Sequence, residues 1–69
     1  MASDKMFDEI TIGDVYRRRD DRLVFVYGYN PIYNTYLCIL QDSGEIYSVH
    51  FDGTYSSGIN HNDLVERIK

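Results

Sequence analysis

The 69-residue sequence predicts a small all-β domain, with five short antiparallel strands curled into a compact barrel. Three observations predict it. β-forming residues come in short runs separated by turn residues, the pattern of small sheets and barrels. The aromatic load is high, 7 Tyr and 3 Phe, and each buried ring takes roughly 150–250 Å² out of water. Finally, the runs 23–27 and 36–40 are apolar on both faces, which in so short an antiparallel chain implies strong curling about a shared interior.

Along the chain, residues 1–6 read as a flexible terminus and 7–69 as one barrel domain. The first run is Phe7 to Tyr16, where Ile10 and Ile12 alternate with Thr11 before Gly13-Asp14 marks a bulge or bend. Asp20-Asp21 is a tight turn into the second run, Arg22 to Tyr29, whose Leu23-Val24-Phe25-Val26-Tyr27 is the richest in β-formers. Asn30-Pro31 starts a loop. The third run, Thr35 to Gln41, ends at Asp42-Ser43-Gly44. In the fourth, Glu45 to Phe51, Tyr47, Val49 and Phe51 alternate with Ser48 and His50. Asp52-Gly53 is a hairpin signal leading to a short fifth strand around Thr54 to Ser57. In the tail, Asp63 and Glu66 have capping-box spacing. Leu64, Val65 and Ile68 form one apolar stripe, so a short helical or 3₁₀ turn is expected there, with a closing strand as the alternative.

A chain this short buries only about 60% of its unfolded surface, and its core supplies a net of roughly 3–5 kcal/mol. Cys38 is the only cysteine, which rules out an internal disulfide. His50 and His61 are the only histidines, too few beside one Cys to suggest a structural zinc site. What remains is a dense aromatic core, a partner chain, or both. The formal charge of −4 argues against a protein that coats nucleic acid and against attachment to an anionic membrane. The longest apolar run, Leu37 to Leu40, is far too short to span a bilayer. No secretory signal is visible in Met1 to Met6, and with a lone thiol this points to the reducing cytoplasm.

Five short strands, tight turns, a terminal helical turn and the opening segment Gly13-Asp14-Val15-Tyr16 resemble the SH3-like small-barrel superfold, with its KOW and Tudor-type members. The resemblance covers roughly residues 8–68. It implies a fold and little about function. No KOW-type basic-glycine signature stands in the turns.

Two constellations are candidate binding surfaces. Arg17, Arg18, Arg19 and Arg22 surround the Asp20-Asp21 turn, where guanidiniums can grip phosphates or a carboxylate-rich partner. The same turn also reads as a solvated hairpin tip whose aspartates offset the arginines and guard an edge, and strand alternation sends Arg18 to the face opposite Arg17 and Arg19. Tyr27, Tyr29, Tyr33 and Tyr36 cluster around the 29–35 loop, as contact surface or as plugs of the barrel ends. An aromatic cage for a cation would also need an acid, and none lies between Arg22 and Gln41.

Catalysis has little support. Cys38 sits in an apolar run, where free cysteine behaves as a small buried hydrophobe. His50 lies on the outer side of an alternating strand and His61 in a polar loop. The five glycines are isolated, so there is no phosphate-cradling loop, and nothing calls for a cofactor. The expected function is a non-enzymatic protein-interaction module, such as a small accessory or inhibitory protein of a phage or mobile element. Homodimerisation through an open strand edge is one form of that. The alternative is a nucleic-acid-binding barrel using Arg17, Arg18, Arg19 and Arg22 with the flanking tyrosines.

Overall fold

The strands are β1 (Val15–Arg18), β2 (Leu23–Asn30), β3 (Thr35–Leu40), β4 (Ile46–Val49) and β5 (Leu64–Arg67). Together they form one antiparallel sheet in the order β4-β3-β2-β1-β5. They come from a computed structural model that describes residues 7–68. The expectation for residues 1–6 lies outside the described residues.

Alternation sets the inner face. Tyr16 of β1, Val24 and Val26 of β2, Tyr36, Cys38 and Leu40 of β3, Val49 of β4 and Leu64 of β5 are buried, and with Ile10 they form one cluster. Phe7 and Tyr47 pack against it. The Phe7 ring meets Tyr16 edge-on, 5.2 Å between centroids at 81°, a favourable geometry for aromatic quadrupoles. The turns follow their chemistry. Asp21 (φ 73°) and Asn34 (φ 57°) take left-handed backbone at the β1–β2 and β2–β3 turns, a region these short polar side chains tolerate.

A bulge divides β2. Val26 opposes Cys38, but Tyr27 and Gly28 together oppose Leu37, after which Tyr29 opposes Tyr36. The extra residue shifts the alternation by one, so Tyr29 shares a side with inward-facing Tyr36, and their rings lie 5.0 Å apart.

The structure corrects five expectations. Of the first run, only Val15 and Tyr16 are strand, the start of β1 (Val15–Arg18), because Gly13 (φ +98°) turns the backbone just before them. Ile10 still reaches the core, its N–H donating to the Phe51 carbonyl at 2.9 Å. Residues 54–57 form a loop, and the fifth strand is Leu64–Arg67. No helical turn forms in this tail. The free edge of β1 offers it a ladder, and pairing there buries Leu64 and keeps Glu66 and Arg67 exposed. In the expected barrel, β4 and β5 would close on one another. Here the ladder is open, with those two strands at its ends. One backbone bond, Leu64 N–H to the Gly53 carbonyl at 2.8 Å, ties β5 to the turn beyond β4. Nor are 23–27 and 36–40 buried on both sides, since the outer face of β2 is exposed.

Candidate functional surfaces

The four arginines around the β1–β2 turn are all engaged by carboxylates. Arg17 donates from Nε to Glu66 and from Nη1 to Asp21, each at 2.8 Å. Arg22 forks onto Asp42 with two 3.0 Å bonds. Arg19 reaches Asp63 at 3.2 Å. Arg18, as alternation predicts, points inward and is buried, pairing through Nε and Nη2 with Asp20 and lying 5.3 Å above the Tyr47 ring. The guanidiniums hold the Asp20 and Asp42 carboxyls below the usual range, the hydrogen bond being the main cause in each. The arginines therefore staple β1, β2 and the loops around them, and a phosphate would compete with an aspartate or glutamate at every one.

The tyrosines separate. Tyr36 is buried at 8% exposure, while Tyr27 and Tyr29 are exposed and Tyr33 stands at 75% beside Ile32 at 83% on the hairpin tip. Tyr29 donates its hydroxyl to the Asn34 side chain. Tyr36 donates to Glu9 Oε2 at 2.6 Å, and the negative acceptor, with desolvation behind it, pushes the phenol up to about 12. So the fold brings Tyr29 and Tyr36 together, with an acid from 27 residues away. Sequence spacing gave no sign of Glu9.

Two recesses flank the sheet. One, of about 410 Å³, has Arg18, Arg22, Tyr47, Tyr55, His61 and Asn62 in its wall. Its polar groups are largely spoken for: Asp20 and Asp42 hold the arginines, and the Tyr47 hydroxyl donates to the Asn62 carbonyl at 3.0 Å. The other, about 390 Å³, is lined by Glu9, Ile10, Thr11, Ile12 and Tyr36.

The outer sheet face carries the surface that sequence reasoning missed. Val15, Phe25, Ile39 and Ile46 oppose one another in register across four strands. Leu23 and Tyr27 extend this apolar row along β2, both exposed, and Ile46 at 62% is its most open member. The signal was present in the sequence as two-sided apolar strands. Such a pattern implies burial on both sides, whereas in the fold the outer side of β2 is exposed and that of β3 half-buried.

Cys38 is buried, and desolvation pushes its thiol up to about 12. His50 and His61 are exposed. Among the described residues no group of three or more His, Cys, Asp or Glu is placed to hold a metal ion, and no helix is long and apolar enough to cross a membrane.

No family model, curated protein or solved structure matches this chain.

Proposed function

We propose that this chain is a non-enzymatic protein-interaction module that docks a partner on its outer sheet face. The observation that carries the reading is the in-register row Val15, Phe25, Ile39 and Ile46, an apolar strip whose Phe25 and Ile46 are exposed and whose Val15 and Ile39 are half-buried, on a chain with little core to spare. Contiguous exposed apolar surface on a small domain marks an interaction site. Covering the strip would add the stability that a core of this size lacks. The buried, neutral thiol of Cys38 supports a binding role over nucleophilic catalysis, and its being unpaired supports a reducing compartment such as the cytoplasm. Five short antiparallel strands, with the Leu64–Gly53 bond across the open seam, support an SH3-like curl of the sheet. The nucleic-acid alternative has against it the carboxylate partner of each arginine.

Crosslinking capture in cells that make the chain tests this, with the native protein beside Phe25→Glu and Ile46→Glu variants. A polypeptide joined to the native chain and lost from both variants supports the reading. The same capture from all three, or none from any, overturns it. Sedimentation of the purified native chain then tells whether the captured polypeptide is a second copy.

A further inference from the structure

Charge accounting over the described residues points to a second contact. Their five cations, Arg17, Arg18, Arg19, Arg22 and Arg67, each lie within ion-pair distance of an Asp or Glu. The charge surplus therefore resides on acids that face no described cation, and Glu9 is one of them. Glu9 is exposed and sits at the recess of about 390 Å³ that Tyr36, Ile10 and Ile12 also line. Its Oε2 already accepts the Tyr36 hydroxyl, which orients the carboxylate against the ring. Its Oε1 accepts from no described donor. Exposed Tyr29 packs against the Tyr36 ring, 5.0 Å between centroids.

This combination matches one kind of ligand group. Ile12, itself half exposed, and exposed Tyr29 offer apolar surface of the kind that a lysine or arginine stem covers. The carboxylate supplies what the cationic head needs, and the exposed Tyr29 ring packed on Tyr36 stands beside it. Asp8 is the sequence neighbour of Glu9. Asp52 follows Phe51, whose carbonyl binds the Ile10 amide, so both add negative potential to the same end of the molecule. The carboxylate and phenol are too few to hold a metal ion. We infer that the Glu9–Ile12–Tyr36 recess receives a cationic side chain, lysine or arginine, from a partner polypeptide. The inference rests on the interaction reading for its partner being a polypeptide, but it uses a recess distinct from the outer strip.

NMR titration of the labelled full chain tests it, with acetylated and amidated pentapeptides that differ only in a central Lys, Arg or Glu. The Lys or Arg peptide is expected to produce saturable shifts at Ile12, Tyr29 and Tyr36, weakened by added salt, while the Glu peptide produces none. Glu9→Gln keeps an acceptor for the Tyr36 hydroxyl, and its spectrum reports whether the fold is intact. It should weaken cationic-peptide binding about tenfold or more, the loss expected for a charge-assisted contact. Ile12→Ser should weaken the same binding through the stem. Absence of saturable shifts with both cationic peptides, or shifts that survive Glu9→Gln unchanged, overturns the inference. Failure here with capture still lost in Phe25→Glu removes this recess and leaves the outer-face reading standing. The converse pattern removes the outer face alone.

Discussion

At position 63, at 2% exposure, the two carboxylate oxygens of Asp63 are approached from three directions: the Tyr55 amide at 2.8 Å, the Asn60 amide at 2.9 Å and the Arg19 guanidinium at 3.2 Å. The same residue that reads in sequence as a helix cap thus ties the 55–63 loop to β1. Asp63→Ala strands those donors and is expected to cost about 3 kcal/mol in urea unfolding, with Asp63→Asn losing less because it keeps an acceptor. Cys38 makes the opposite kind of prediction. Its thiol is buried and neutral, so iodoacetamide at mildly alkaline pH should leave the native chain unlabelled and modify it fully in denaturant. Labelling of the native chain at the unfolded rate would mean that β3 does not pack as described. At Tyr36, the phenol held up to about 12 by Glu9 should titrate closer to the ordinary 10 in Glu9→Gln, read by the tyrosinate absorbance.

Turns and strands show how far local sequence carries. Gly44 (φ +77°) and Gly53 (φ +89°) both occupy backbone that disfavours a side chain, but only Gly53 is also packed. A Cβ there would lie 3.0 Å from Phe7 Cδ2 and 3.3 Å from the Leu64 carbonyl oxygen, whereas at Gly44 it meets open space. Gly44→Ala should therefore cost about 1 kcal/mol and Gly53→Ala about 2–3 kcal/mol by chemical denaturation. Equal costs would show that the close approach near Phe7 is not made. The strands β2, β3 and β4 were legible as runs of β-formers, but only in β4, where Tyr47 and Val49 alternate with Ser48, was the inner face legible as well. The tail was not. Leu64-Val65 suits helix or strand equally, and the free edge of β1, which decides the matter, lies 46 or more residues away in the chain. The same limit hid the site at Glu9. Tyr29 and Tyr36 cluster visibly in sequence, but their acid arrives only through the pairing of Ile10 with Phe51.

Over the whole molecule, the shifted groups set a pH window. Asp20, Asp42 and Asp52 have folded values below the ordinary 3.8, so their contribution is present above that value and is lost as pH falls through the folded ones. Cys38 and Tyr36 are raised, so their contributions are complete below about 9 and about 10 respectively and disappear as pH climbs to about 12. Urea midpoints measured across pH should stay level between these limits and fall on both sides. A midpoint still rising at strongly acid pH would contradict the ion-pair scheme. Faces, by contrast, are a global property that composition leaves open. Leu23, Phe25 and Ile39 are as apolar as their inward neighbours, and only the absence of a second layer among the described elements makes them surface.

The inserted residue at Tyr27 acts on β2 as a half-step in a gear train. Upstream of it even-numbered side chains point to the inner side, and downstream the odd-numbered Tyr29 does, half-open at the rim. Removing that single residue would close the bulge and leave Gly28 opposite Leu37 and Tyr29 opposite Tyr36, so β2 would mesh with β3 as one regular ladder. One codon at this point thus governs the local bend of the strand while the ring keeps its side.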